Sequence, residues 1–221
     1  MISFDNLEGS AKKSGVKYMK LADGDNTFRI VGGILPGYTY WVKGAAGKDS
    51  PFECLTFDRE NEKFDNSQPD PVGELKLKDA KGGDLRCSWS YKCQVINRAT
   101  NQLEVLQLKK GMLSEIIKFS QKQSIDPTNF ETGCDITVNR EKTGPLPFNV
   151  AYSVDPFSMT SVALSEADHV LVAELKKIDE LFEKETPAAQ RERLQRHLTG
   201  EKAAEDTVVD SATKEAISEL G

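Results

Sequence analysis

Residues 85–98 carry the pattern that most limits how this chain can fold. Odd-numbered positions from 85 to 95 are Leu, Cys, Trp, Tyr, Cys and Val, whereas positions 86, 88, 90, 92, 94 and 98 are Arg, Ser, Ser, Lys, Gln and Arg. Because side chains alternate between the two faces of a strand, this pattern predicts one long strand with an apolar face and a polar, basic face. A turn at 99–101 and an apolar run at 102–110 then predict a β-hairpin.

A sheet of this character suits an extended polyanion as its ligand. The phosphates of a nucleic acid need Lys and Arg, and every base offers a flat π-surface on which an aromatic ring can stack. The hairpin therefore indicates single-stranded nucleic acid as one class of ligand.

The distribution of charge does not exclude this class. Residues 1–164 hold 21 Lys/Arg and 21 Asp/Glu, whereas residues 165–221 hold 8 Lys/Arg and 14 Asp/Glu, so the net charge of −6 belongs to the C-terminal part. An acidic chain is normally a poor nucleic-acid binder. Because residues 1–164 are neutral overall, the acidity of the whole chain does not argue against nucleic-acid binding by this part.

The cysteines and histidines do not form the pattern of a metal site. Cys54, Cys87, Cys93 and Cys134 include no CxxC pair, and both histidines, His169 and His197, lie in the C-terminal part. We therefore expect no metal and no cofactor. The first residues lack the basic and apolar regions of a signal peptide, and no apolar run approaches a membrane span of about 20 residues, which together predict a cytoplasmic protein.

Short β-strands dominate the predicted elements. The sequence predicts strands at 27–31, 38–43 and 51–57, a charged excursion at 59–83, a helix at 111–123 and a last hairpin formed by 134–140 and 148–154. Gly32-Gly33 would allow the bulge or kink that a small barrel needs. Strands, then one helix, then strands is the order of a five-stranded Greek-key barrel, the OB-fold, in which the helix follows the third strand.

The C-terminal part differs in character from this mainly β region. Ser165-Glu-Ala-Asp168 is a capping-type helix start, and a second helix is predicted at 188–198, before Gly200. The last 21 residues carry six acids against Lys202 and Lys214, without an apolar stripe, which predicts disorder. The predicted organisation is a basic flexible arm at 1–20, an OB-fold domain at 21–160, a helical appendage at 165–200 and an acidic tail at 201–221.

Aromatic side chains are the candidates for contact with bases, namely Tyr38, Tyr40, Trp41, Phe64, Trp89 and Tyr91. Residues 38–41 lie in a segment flanked by glycines, which favours ligand contact. Trp89 and Tyr91 lie on the apolar face of the central strand, where core packing is favoured. In the excursion, Phe57 and Phe64 flank Arg59. For each of these rings, stacking and core packing remain open alternatives.

Cations are the candidates for phosphate contact, and the predicted set is Lys43, Arg59, Lys92, Arg98, Lys109, Lys110, Arg140 and Lys142. Lys92 and Arg98 share the polar strand face with Ser88 and Ser90, which leave room for a nucleic-acid backbone. A single surface lysine is usually only solvated, so the prediction rests on the group at the mouth of the barrel.

The sequence gives little support for catalysis. Asp70 and Glu74-Leu75-Lys76 superficially match the carboxylates of PD…ExK nucleases, but the three residues between Asp70 and Glu74 are too few to reach a neighbouring strand. No nucleophile motif, phosphate loop or histidine-based metal site is present. We therefore predict that the protein is not an enzyme.

Four stretches together resemble the phage-type single-stranded DNA-binding proteins, the family of the T-even helix-destabilising protein. They are Lys17–Val31 before Leu35-Pro36, Trp89–Asn97, Leu103–Ile117 with its Lys109-Lys110 pair, and Cys134–Val138. The resemblance implies an OB-fold, sequence-tolerant binding of single-stranded DNA, cooperative coating and an acidic tail for partners. The T-even protein carries a Cys/His zinc subdomain after its early strands, but residues 58–84 here contain neither Cys nor His, so zinc is not carried over.

The predicted function is therefore sequence-tolerant binding of single-stranded DNA during phage replication or recombination in a bacterial host cell. The predicted partners are the DNA, neighbouring protomers along it, and replication or recombination proteins that bind the tail. The alternative is a β-barrel whose aromatics bind another protein of a phage replication assembly. Salt dependence separates the two, because only a DNA binder displaces counterions from phosphates.

Overall fold

A computed structural model describes residues 16–146, 149–173 and 175–201, and the structural statements below concern these residues. In chain order the elements are β1 (Gly24–Lys43), β2 (Asp49–Glu53), β3 (Phe57–Asp58), β4 (Lys63–Phe64), α1 (Pro71–Glu74), β5 (Ser88–Asn97), β6 (Gln102–Lys109), α2 (Lys110–Gln123), β7 (Ile136–Lys142), β8 (Val150–Asp155), α3 (Glu166–Ala173), α4 (Ile178–Leu181) and α5 (Pro187–Thr199). The fold is mainly β, an antiparallel sheet with a few helices, which is consistent with an OB-like fold.

The chain divides into two compact units. Unit 1 takes in the described residues up to Ile34 and Tyr91–Leu181, and unit 2 takes in Leu35–Ser90 and the described residues from Phe182 onward. Strand β1 begins in unit 1, where Gly24–Phe28 pairs with β7, and it ends in unit 2, where Thr39–Lys43 pairs with β2. The domain boundaries predicted from the sequence stay a prediction.

Five strands of unit 1 lie in the order β6-β5-β1-β7-β8, and α2 packs against β6 and β8. The predicted central hairpin, helix and last hairpin are confirmed, each within a few residues of its expected ends. The predicted strands at 27–31 and 38–43 are instead parts of the single long strand β1. Pro36 and Gly37, a pair that is typical of turns, lie within β1.

The predicted polar face of residues 85–98 is wrong for the part of β5 that lies in unit 1. Gln94 and Ile96 are buried, and Ile96 forms a cluster with Val31 and Leu164. The Nε2 of Gln94 donates to the carbonyl of Lys176 at 2.8 Å. Apolar side chains from residues 164–175 therefore cover this face of the sheet, and the alternation within one strand could not reveal a cover from so distant a segment.

The two adjacent glycines of β1 make room for this packing. A Cβ at Gly32 would lie 2.3 Å from Oε1 of Gln94, and one at Gly33 would lie 3.3 Å from a methyl group of Ile178. The glycine pair therefore permits close approach of side chains from β5 and α4.

Helix α3 is held within unit 1 by an ion pair to the buried side chain of Asp168. Ser165 and Asp168 form the predicted reciprocal cap, in which each side chain accepts from the other backbone N–H. Arg98 donates to Asp168 at 2.8 Å and, through two nitrogens, to Asp135 at 2.9 Å. Burial alone would raise the pKa of Asp168, but hydrogen bonds from Arg98 and Ser165 hold that pKa below its ordinary value.

Unit 2 has a hydrophobic core of its own. Its buried members are Tyr40, Val42, Phe52, Cys54, Phe57, Val72 and Leu194. The predicted excursion at 59–83 contributes Val72 and the partly buried Leu77 to this core. The predicted helix at 188–198 is confirmed as α5, which packs on α1 and β2 and ends at Gly200 in the left-handed conformation (φ 79°).

The remaining expectations concern the chain ends and membranes. Most of the predicted basic arm and nearly all of the predicted acidic tail lie outside the described residues. None of the described helices is long and apolar enough to cross a membrane.

Candidate nucleic-acid interface

Unit 2 brings four aromatic side chains together, and we call Tyr38, Phe57, Phe64 and Trp89 the ring cluster. The ring centroid of Tyr38 lies 4.8 Å from that of Phe57, 4.8 Å from that of Phe64 and 5.0 Å from that of Trp89. Aromatic pairs at such separations stabilise one another by about 0.5–1.5 kcal/mol beyond the burial of their area. Three predicted candidates, Tyr38, Phe64 and Trp89, thus converge from separate segments.

The ring cluster has a buried member, Phe57, and an exposed member, Phe64. Phe57 is buried and lies directly opposite Phe64 in the β3–β4 ribbon, whereas Phe64 is 49% exposed. Asp58 stabilises the ribbon turn, since its carboxylate accepts from the backbone N–H of Glu60 at 2.9 Å and from Nδ2 of Asn61 at 2.7 Å. The half-exposed ring of Phe64 is therefore held in place by Tyr38 and Phe57, which suits it to stack on a flat ligand.

Tyr40 lies in the core of unit 2. Its hydroxyl donates to Oδ2 of Asp70 at 3.1 Å, and the thiol of Cys54 donates to the same oxygen at 3.2 Å. Burial raises the pKa of the Tyr40 hydroxyl, and hydrogen bonding with Cys54 adds to the rise. Base stacking by Tyr40 stays a prediction, and this conformation offers no exposed ring for it.

Trp41 has the opposite orientation from Tyr40, as the alternation predicts. It is 49% exposed and lies across from Pro51 in the β1–β2 hairpin. With Lys43 it lines a groove of about 430 Å³, which we call the Trp41 groove. The other lining side chains include the apolar Leu77, Leu85 and Leu198, the cation Lys78 and the acids Asp49 and Asp79. An aromatic ring beside apolar side chains suits a nucleobase.

Arg59 is already engaged within unit 2. Its guanidinium donates to both carboxylate oxygens of Glu53, at 2.8 and 2.7 Å, and to the carbonyl of Phe182 at 2.6 Å. A phosphate would have to compete with this bidentate ion pair. Phosphate binding by Arg59 therefore stays a prediction that requires rearrangement.

Unit 1 carries a second group of candidates at the ends of β6, β7 and β8. The Nζ of Lys109 lies 4.8 Å from the centroid of the Tyr152 ring, a cation–π geometry. Tyr152 pairs across the strands with Arg140, which forms an ion pair with Asp23. Lys110 and Lys142 are exposed close by in sequence, so this part of unit 1 presents both a ring and cations to solvent.

The other predicted residues of unit 1 are less accessible. Tyr91 is buried, Lys92 is half-buried, and the guanidinium of Arg98 is held between Asp135 and Asp168. Hydrogen bonds with the two carboxylates raise the pKa of Arg98 against the lowering effect of its burial. As with Arg59, a role for Arg98 in phosphate binding would require these ion pairs to open.

Sequence reasoning missed Tyr152 as a partner of the cations. Tyr152 lies opposite Arg140 in the β7–β8 hairpin. The sequence predicts this hairpin but not its register, so it does not show which residues face each other. It also missed Arg29, which is completely buried and donates to the carbonyl of Asn129 at 2.8 Å. Nothing in the alternation of β1 distinguishes Arg29 from an exposed cation.

In the part of the chain that the structure describes, no group of three or more His, Cys, Asp or Glu side chains could hold a metal ion. Cys54, Cys87, Cys93 and Cys134 are all free thiols. Burial raises the pKa of Cys93 to about 12, so this thiol stays protonated.

Comparison with known proteins gives one informative match. No protein-family model matches the chain. The chain is 34% identical over 145 residues to a protein of Escherichia phage T5 named probable ssDNA-binding protein, and the match covers 63% of this chain and 54% of that protein. The chain therefore spans about half the length of this relative. The similarity confirms the resemblance to phage single-stranded DNA-binding proteins that the sequence predicts.

Proposed function

We propose that this chain binds single-stranded DNA without strong sequence preference and that the ring cluster is its stacking platform. The observation that carries this proposal is the half-exposed ring of Phe64, held against Tyr38 and Phe57 at centroid distances of 4.8 and 5.4 Å. Every base has a π-face, so binding by stacking tolerates any sequence. The name of the phage T5 relative supports the same function.

The sheet order supports an OB-fold assignment for unit 1. The five strands in the order β6-β5-β1-β7-β8, with α2 between β6 and β7 in the chain, follow the strand and helix order of a five-stranded Greek-key barrel. Lys109 of β6 lies over Tyr152 of β8, so the two ends of this path come close together, as barrel closure requires.

This assignment agrees with the positions of the candidate residues. OB-folds bind oligonucleotides on their second and third strands and on the loops after the first and fourth strands. In this chain the first of these loops corresponds to the segment between β1 and β5, which contains Phe57 and Phe64. The second is the β7–β8 connection, beside Arg140, Lys142 and Tyr152.

In this proposal, different residues stack on the bases and contact the phosphates. Phe64, Trp89, Tyr38 and Trp41 bind bases, and the exposed cations Lys43, Lys109, Lys110 and Lys142 bind phosphates. The proposal also includes coating of long strands by neighbouring protomers. The acidic C-terminal residues recruit replication or recombination proteins in the cytoplasm of a bacterial host.

A titration of the full chain with oligo-dT tests the proposal. The fluorescence of Trp41 and Trp89, the two tryptophans of the chain, should be quenched on binding. Affinity should fall steeply as salt rises, with a slope of about −0.7 in log–log form for each phosphate contact. No quenching and no binding at low salt would contradict it.

A protein-binding module is the second candidate function. The observation that favours it is the side chain of Phe157, which is 90% exposed in unit 1, with Val170 72% exposed in the same unit. A contiguous apolar patch built around either side chain would be a site for a protein partner. A chain with this function alone would leave tryptophan fluorescence unchanged when oligo-dT is added.

A further inference from the structure

Unit 2 contains a second groove at the same β1–β2 loop as the Trp41 groove. We call it the basic groove. It has a volume of about 420 Å³, and its polar lining consists of Lys48, Ser50, Arg193, Arg196, His197 and Glu201. The two grooves share the hairpin loop and the last turns of α5, because Lys43 and Leu198 line one groove and Lys48 and His197 line the other.

The β1–β2 loop is fixed in place by α5. A ring nitrogen of His197 lies 2.8 Å from the carbonyl of Val42, and the backbone N–H of Ala45 donates to the carbonyl of His197 at 3.1 Å. Gly44 permits this contact, since a Cβ there would lie 2.4 Å from Cε1 of His197. The walls of the basic groove are therefore formed before any ligand binds.

The arginines of the groove differ in what they can still bind. Arg193 is largely engaged, because it donates to both carboxylate oxygens of Glu185 at 2.7 and 2.8 Å and to the carbonyl of Pro51 at 3.2 Å, and it stacks over the Phe52 ring at 3.9 Å. Among the described residues, Arg196 forms one long ion pair, with Glu192 at 3.8 Å. Its Nε is buried and has no acceptor among the described residues.

Because Arg196 is only weakly paired and its side chain is 36% exposed at the groove, its guanidinium is available to an anion there. Lys48 is exposed at the same groove and forms no ion pair with the described residues. Glu201 is the acid that lines the groove, and the C-terminal end of α5 contributes a negative dipole. Any attraction for an anion must therefore come from the side chains of Lys48 and Arg196.

We propose that the basic groove holds a phosphodiester of the bound strand, bridged by Lys48 and Arg196, while the adjoining base lies in the Trp41 groove. The DNA strand then crosses the β1–β2 loop, with its base in one groove and its phosphate in the other. This inference rests on the proposed function and assigns to it a phosphate site that includes none of the cations predicted from the sequence.

The test compares the binding of labelled oligo-dT by the full chain and by the double variant K48Q/R196Q at several salt concentrations. Loss of two charge-assisted contacts should weaken binding at low salt by roughly ten- to a hundredfold. It should also reduce the log–log salt slope by about 1.4, at about 0.7 for each phosphate contact. Glu201→Gln should strengthen binding, because it removes the opposing charge.

A matched control removes the same charge elsewhere. Lys118 and Lys122 are exposed on α2 and line neither groove, so K118Q/K122Q should change affinity and slope much less. Thermal melting checks that each variant is folded. If K48Q/R196Q is folded and keeps the parent slope, the phosphate site is overturned while the proposed function stands. If the parent chain itself does not bind oligo-dT, the proposed function fails.

Discussion

Two adjacent residues of β1 show how strongly the environment of a side chain determines its role. Tyr40 is buried with its hydroxyl bonded to Asp70, whereas Trp41 points the other way and is half exposed. The alternation of the strand predicts their opposite orientations. It does not predict which side is covered, because the cover comes from Val72 and Leu194, distant in sequence.

The first prediction concerns Trp41. Replacement of Trp41 by Ala should cost roughly 1–3 kcal/mol of binding to oligo-dT, the typical value for one stacking ring. The free energy of unfolding should change little, because the side chain already contacts solvent on one side. Anisotropy titration and urea denaturation of the same preparation measure the two quantities.

Tyr40→Phe provides the contrasting control for this prediction. It removes the hydroxyl that bonds to the buried carboxylate of Asp70, so it should lower the free energy of unfolding by about 1–3 kcal/mol and leave DNA affinity unchanged. Loss of stability in Trp41→Ala with unchanged binding would mean that Trp41 is a packing residue.

Charged residues were the hardest to assign from the sequence. Arg59 and Arg98 have the composition and position of phosphate ligands, yet each is held by carboxylates, Glu53 in one case and Asp135 with Asp168 in the other. Asp135 and Asp168 are far from Arg98 in the chain. A sequence pattern cannot tell an internal ion pair from a free cation when the partner is supplied by another element.

Among the helices and strands, those that depend on short-range sequence patterns were predicted correctly. The central hairpin, α2, the last hairpin, the cap of α3 and the end of α5 at Gly200 all depend on alternation, periodicity or capping within a few residues. The continuity of β1, the burial of both faces of β5 and the separate core of unit 2 depend on pairing between distant segments. These were not predictable from one sequence.

The attachment of α3 gives a prediction about pH. The folded-state pKa of Asp168 is lowered by Arg98 and Ser165, so its ion pair stabilises the fold fully above the ordinary aspartate pKa of about 3.9. This stabilisation is lost as pH falls through the lower folded-state pKa. Asp168→Asn should lower the free energy of unfolding at neutral pH by about 1–3 kcal/mol.

Acid denaturation curves of both proteins check this prediction. Because the variant has no carboxyl group to protonate at position 168, the difference in stability between the two proteins should shrink as pH falls below about 4. A difference that stays constant down to pH 2 would contradict the assigned role of the ion pair.

At the scale of the whole molecule, charge is separated along the chain. Residues 1–164 are neutral, and residues 165–221 carry the net charge of −6, much of it in the last 21 residues. An acidic segment tethered to a DNA-binding protein is present at a high effective concentration near any basic surface. We therefore expect the acidic C-terminal residues to compete with DNA.

Truncation after Gly200 tests this expectation. The shortened chain should bind oligo-dT more tightly than the full chain at low salt, and the gain should shrink as salt screens the competing charges. Titrations of both proteins at two salt concentrations measure it. Equal affinities at low salt would show that the acidic residues only add solubility.

We propose that single strands are bound through exposed base faces, which a duplex hides within its stack. Competition for labelled oligo-dT between an unlabelled mixed-sequence single strand and the duplex formed from it tests this claim most directly. We predict that the single strand competes within about tenfold of oligo-dT itself, because stacking is tolerant of sequence, and that the duplex competes far more weakly. Equal competition by the duplex would contradict it.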